Sequence, residues 1–168
     1  MVPFFALCIS FVVFFLAGRL GVTALLSWRS ALRWALAVMF LLTASAHFNS
    51  MRADLVRMVP PAFPAPELLV TVTGVLEILG AIGLVVPRLA RPAAVSLSLL
   101  LVAMFPANVH AAAQGVQLGG AAATALLPRT ILQLIFVGAL LLAGFGSAGR
   151  GAGRRSEVDG AARPRLER

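Results

Sequence analysis

Long apolar stretches, separated by short clusters of arginine, proline and glycine, run from the first residues of the chain to about position 146. The uncharged windows lie at residues 2–26 (broken by Arg19), 31–48, 67–87, 92–112 and 129–146. A helix needs about 20 mostly apolar residues to cross a bilayer, and each window is close to that length. The pattern predicts an all-α, polytopic membrane helix bundle with five spans. The first window has a second reading as a cleaved signal peptide. Residues 1–6 carry no positive side chain and no good small-x-small site precedes Arg19, which favours a retained N-terminal transmembrane anchor over residues 1–27.

The connections differ in kind. Met51, Leu55, Met58 and Val59 fall at i, i+4, i+7 and i+8, while Arg52, Asp54 and Arg57 take the opposite face. That spacing predicts an amphipathic surface helix. It runs into Val59-Pro60-Pro61-Ala62-Phe63-Pro64-Ala65-Pro66, whose prolines forbid helix continuation and stiffen the entry to the third span. Residues 49–66 are expected to form an outer lid on a bundle over residues 28–146. The Gly- and Ala-rich segment from Gln114 to Leu127 is expected to be a looser outer loop.

Composition strengthens the membrane reading. Of 168 residues, 60% are hydrophobic and only 12% charged, and the mean hydropathy is +0.96. A soluble domain of this size has too much surface to be covered by so few polar side chains, so a soluble fold is excluded. Cys8 is alone and makes neither an internal disulfide nor a metal site.

Charge sets the orientation. Arg29, Arg33, Arg88, Arg91 and six arginines after residue 149 fall on one side of a five-span bundle, against Arg52, Arg57 and Arg129 on the other. The arginine-rich side, with the C-terminus, is expected in the cytoplasm. Trp28 and Trp34 flank the first inner loop, where indoles favour the headgroup level. Residues 147–168 carry a net +3 without hydrophobic period and read as a disordered, Arg-rich cytoplasmic tail whose partner is the anionic lipid surface rather than nucleic acid.

Glu77 is the one acid deep inside a predicted span, about ten residues or roughly 15 Å from its outer end. A carboxyl at that depth must be protonated, paired or beside water, and it is either a proton carrier or a neutral hydrogen-bonding link between helices. Thr73, Gly74, Gly80 and Ala81 lie within about 60° of Glu77 on a helical wheel. Small residues there let another helix approach, so Glu77 is expected to face the bundle.

The fourth span contains Phe105-Pro106-Ala107-Asn108-Val109-His110. Pro106 should kink it and free a carbonyl near Val102, giving with Asn108 a polar spot that either grips a ligand or is satisfied by a neighbouring helix. His47 closes the second span with Thr43 one turn deeper, and Gln133 lies one turn into the fifth span. His47, Thr43, Thr73, Pro106, Asn108 and Gln133, with Glu77 below them, would line an outward-opening cavity. His110 lies about 200° around from Asn108 and joins only if the kink rotates it inward. Two histidines without a cysteine near them make at best a weak metal site, and no nucleotide, haem or iron–sulfur motif is present.

Ala46-His47-Phe48, Met58-Val59-Pro60-Pro61, the block Gly74-x-x-Glu77-x-x-Gly80-Ala81 and Phe105-Pro106-Ala107-Asn108 together resemble the DoxX family of small bacterial membrane proteins, over about residues 31–146. The resemblance implies a compact four-helix core in the bacterial inner membrane, with the first span as an extra element. It also implies a role as an accessory membrane subunit, beside redox partner subunits, in quinone-linked or oxidative-stress chemistry. On that reading a quinone enters among the helices and Glu77 carries a proton. No self-contained catalytic or electron-carrying motif accompanies it, so whether the chain is an enzyme stays open. The alternatives are a bundle that binds or moves a small solute and an assembly factor, either of them able to form a homo-oligomer.

Overall fold

The computed structural model describes residues 2–118, 120–122 and 125–145. The tail read as disordered lies outside the described residues. The described chain is helical apart from one minimal hairpin. Helix α1 spans Val2–Arg19, and a short 3-10 turn at Thr23–Leu25 leads into α2, Trp28–Ala46. Next come α3 at Arg52–Met58, α4 at Pro66–Val85, α5 at Ala90–Ala103, α6 at Phe105–Gln114 and α7 at Leu126–Phe145. The segment expected to be a loose loop holds two-residue strands, β1 at Gln117–Leu118 and β2 at Ala121–Ala122, paired antiparallel.

The helix boundaries follow local chemistry. Ser27 caps α2, its hydroxyl accepting from the Ser30 amide at 3.0 Å. Pro66 occupies the first turn of α4, where no intrahelical amide is needed. Ala65 before it takes φ 52°, ψ 59°, a left-handed conformation that an alanine adopts only under constraint, here between Pro64 and Pro66. The fourth window breaks at Met104, two residues before Pro106, so one predicted span becomes α5 followed by α6.

Helices α2, α4, α5 and α7 pack in a closed ring, and α1 docks on the outer flank of α2. Leu36, Met39, Phe40, Leu84, Leu97 and Leu140 fill the centre of the ring. Leu7 of α1 joins the same core, with Phe11 and Phe14 packed against it. Among the described residues, four helical segments are long and apolar enough to cross a membrane: α1, α4, α5 with α6, and α7. The expected fifth, α2, falls short in apolarity because Arg29, Arg33 and several small polar residues dilute its sequence. Packing explains how it can: α2 contacts α1, α4 and α7, so protein rather than surroundings sets what much of its surface must carry, while Val38, Leu41 and Leu42 stay exposed.

Close approach depends on glycine. A Cβ on Gly74 would stand 2.6 Å from the His47 Cβ, and one on Gly80 would stand 2.4 Å from a methyl of Leu97. The Leu97 side chain can yield; the backbone-anchored His47 Cβ cannot. Gly74→Ala should therefore destabilise the protein by about 1–3 kcal/mol, the usual cost of overpacking. Gly138, with nothing within 4 Å of its added Cβ, should tolerate alanine and gain up to about 1 kcal/mol from helix propensity. Chemical unfolding of both variants in detergent checks the pair, and equal effects would contradict the packing.

Candidate functional site

Glu77 lies halfway along α4 and is 3% exposed. On that buried face stand Gly74, Gly80 and Ala81, so the carboxyl turns into the contact with α2. The Thr43 hydroxyl lies 2.9 Å from Glu77 Oε2 and 3.0 Å from the Phe40 carbonyl. One hydroxyl proton serves two acceptors there, unless the carboxyl brings its own. His47 Nε2 stands 4.0 Å from Glu77 Oε1, beyond hydrogen-bond length. On the other side of the ring, His47 Nδ1 donates to the Val70 carbonyl at 2.7 Å, with the Thr73 hydroxyl 3.3 Å away. That bond fixes the imidazole between the end of α2 and the second turn of α4. Thr43 with Glu77 and His47 with Thr73 are thus two bonded pairs that approach each other across that 4.0 Å gap.

Above this group is a cavity of about 250 Å³. Its walls are Leu55, Met58, Val59, Pro60 and Phe63 from the α3 segment, Leu69 and Val70 from α4, and Ala103, Met104, Pro106 and Ala107 around the break between α5 and α6. His47 and Thr73 are the polar residues of the lining. The lid segment is held from both sides. Arg52 donates to the His47 carbonyl at 3.1 Å, to the Glu67 carbonyl at 3.1 Å and to the Thr71 hydroxyl at 2.9 Å, tying α3 to α2 and α4. His110 Nδ1 meets the Met58 carbonyl at 3.2 Å, tying the other end of α3 to α6.

Four residues expected in the cavity have other partners; Thr43 is one of them, bonded to Glu77 below the lining. Asn108 accepts from Arg129 at 3.0 Å through its side-chain oxygen, so its amide joins α6 to α7 instead of lining the cavity. Gln133 donates to the Leu101 carbonyl at 3.0 Å, one residue from the carbonyl expected to be freed by Pro106. It satisfies backbone at the helix break, the alternative in which a neighbouring helix serves the kink. His110 acts on the lid rather than in the cavity. Sequence reasoning missed Arg52, which looked like the solvent face of an amphipathic helix, and the apolar lining from Phe63 to Val70. The stacked prolines were the available signal for the lining, since they force that segment back over the bundle. Among the described residues, no group of three or more histidines, cysteines or acids could hold a metal.

Glu77→Gln keeps an oxygen for Thr43 and should hold stability within about 1 kcal/mol of wild type. Glu77→Leu leaves Thr43 and His47 facing a hydrocarbon and should cost about 1–3 kcal/mol. Unfolding curves of the two variants decide the point; a leucine variant as stable as wild type would mean the carboxyl holds nothing together.

No curated protein and no solved structure matches this chain. The likeness to the DoxX family is corrected by the family comparison: the matching model is a different one. The blocks that suggested DoxX are small residues around a buried acid and a proline at a helix break, which packing demands of any bundle so built. The quinone and redox expectations lose the ground that likeness supplied. The model Domain of unknown function (DUF8561) matches residues 36–143, from the middle of α2 to the last turns of α7, and the chain belongs to that family.

Proposed function

We propose that the protein is a membrane-embedded bundle that holds a small, largely apolar molecule with one polar end in the cavity beneath α3. The observation that carries this reading is the lining: an apolar pocket of about 250 Å³ with His47 and Thr73 at its polar end and Glu77 behind His47. An apolar wall with a few convergent polar groups is the usual form of a small-molecule site. Because His47 Nδ1 is spent on the Val70 carbonyl, neutral imidazole keeps its acceptor at Nε2, the nitrogen nearest Glu77. A ligand hydroxyl would donate to His47 Nε2, a ligand carbonyl would accept from the Thr73 hydroxyl, and a proton could pass between His47 and the carboxyl after a small movement that closes the 4.0 Å gap. Binding is the activity proposed; a quinone head is one chemistry that fits, as is a hydrophobic phenol.

The bundle is proposed to lie in the cytoplasmic membrane, with α2 crossing at its centre. The end bearing Arg29, Arg33, Arg88 and Arg91 then faces the cytoplasm, and the lid faces outward. Single cysteines at Ala62 and Arg88, in a Cys8→Ser background, test this in intact cells. An impermeant maleimide should modify position 62 and spare position 88; the reverse pattern contradicts the orientation.

Titration of the purified protein with a short-chain benzoquinone and with a hydrophobic phenol tests the cavity. At least one should bind saturably, and Ala107→Phe, which fills the cavity, should weaken it about tenfold or more. Leu134→Phe, on an exposed face of α7, should leave binding unchanged. If neither probe binds saturably, or Ala107→Phe binds as wild type, the cavity reading fails.

A further inference from the structure

The polar end of the cavity beneath α3 is one-sided in its hydrogen bonding. His47 Nδ1 lies 2.7 Å from the Val70 carbonyl. A carbonyl only accepts, so that nitrogen carries the ring proton, and the neutral ring has its lone pair at Nε2. The Glu77 carboxyl, 4.0 Å away, is too far to bond it. Nε2 is also not among the fully enclosed side-chain atoms that lack a partner. It therefore keeps open surface, and the space that His47 lines is this cavity.

The donors nearby are already in use. Thr73, the other polar residue of the described lining, has one hydroxyl proton. The Leu69 carbonyl one turn back takes it at 2.8 Å, with the Val70 carbonyl at 3.1 Å. Backbone amides around the cavity are engaged as well. Those of Leu55, Val59 and Phe63 in the lid segment donate to the Met51, Val56 and Pro60 carbonyls, that of Leu69 to Ala65 and that of Met104 to Leu100. Pro60 and Pro106 in the wall have no amide hydrogen to give. Glu77, which would hold a donor when protonated, stands behind His47 and outside the lining.

We propose that His47 Nε2 selects the occupant of this cavity, and that the occupant is a phenol or a similar apolar molecule whose polar end is an O–H donor. The selection rests on the cavity reading above and narrows it. The O–H of such a ligand donates to Nε2 without breaking a bond within the protein. A carbonyl end would have to draw the Thr73 proton off Leu69, and an ether end would set its lone pairs against that of Nε2. Size agrees: an apolar cavity of about 150 Å³ holds one benzene ring, so one of about 250 Å³ suits a ring bearing a short alkyl group. Met58, Phe63 and Met104 supply thioether and ring surface for an aromatic body.

The test uses the full-length protein purified in a neutral detergent and three probes of similar size: para-propylphenol, its methyl ether and a propyl-substituted benzoquinone. Each titration is corrected for partition into the detergent. The phenol should bind saturably, and the ether and the quinone should bind about tenfold or more weaker. His47→Asn tests the residue, because the asparagine amide can still donate to the Val70 carbonyl from the place of Nδ1 while Nε2 is gone. It should weaken phenol binding about tenfold and leave ether binding unchanged, which a general loosening of the cavity would not do. Equal affinity for phenol and ether, a quinone bound as tightly as the phenol, or a phenol preference that survives His47→Asn would each overturn the selection by His47 and leave the cavity reading standing. Binding of none of the three probes would defeat the cavity reading and the selection with it. Should the asparagine variant fail to fold, the wild-type comparison of phenol with ether decides alone.

Discussion

A carboxyl buried among apolar helices has to find its polar company within the protein, and the contact between α2 and α4 is organised around that demand. Glu77 meets Thr43 at 2.9 Å, which fixes α2 against α4 at mid-height. One turn higher, Gly74 leaves room for His47 to lie against α4 and reach the Val70 carbonyl. The imidazole therefore has one rotamer and one height. Because His47 also ends α2, its carbonyl becomes the acceptor for Arg52, and the lid is positioned from the same point. Remove the carboxyl and its glycine neighbour, and neither the floor of the cavity nor the lid anchor has a fixed place.

The same economy of polar groups runs through the remaining contacts. Each break in a helix leaves backbone carbonyls or amides that cannot turn to water in an apolar setting. Gln133 serves Leu101 at the α5–α6 break, Arg33 serves Ala143 at the end of α7, and His110 serves Met58 at the end of α3. Such links are worth about 1 kcal/mol each, so their larger effect is register: they fix which turn of one helix faces which turn of the next. The apolar surface left outside includes Phe5, Ile9, Val12 and Leu16 of α1 and Leu134 and Leu142 of α7, and it suits the membrane setting proposed for the bundle.

Much of this was legible from residue order. Apolar windows located the long helices after the first to within a few residues, since length and hydrophobicity are local properties; the first window overran α1, which ends at Arg19, by seven. The inward face of Glu77 followed from Gly74, Gly80 and Ala81, and the helix break from Pro106. Partners were harder. Nothing in the local sequence tells Asn108 that Arg129, twenty-one residues away, lies beside it; that depends on the register of α6 against α7. Gln133 pointed correctly inward, yet its use as a backbone cap required knowing where Leu101 would stand. Arg52 was misread because a charged residue on a short amphipathic helix is ordinarily solvated. The family likeness misled for a related reason: short blocks of small residues and a buried acid report a packing problem, and bundles of different families can solve it with the same residues.

The packing of α2 on α4 turns on the Thr43–Glu77 contact. A double-mutant cycle of Thr43→Val, Glu77→Leu and the combined variant, read by unfolding in detergent, measures it directly. Coupled residues should give a favourable interaction energy of about 1–2 kcal/mol, with the double variant losing less than the sum of the singles. Strict additivity of the two substitutions would contradict the account, because the carboxyl would then be buried without joining the helices.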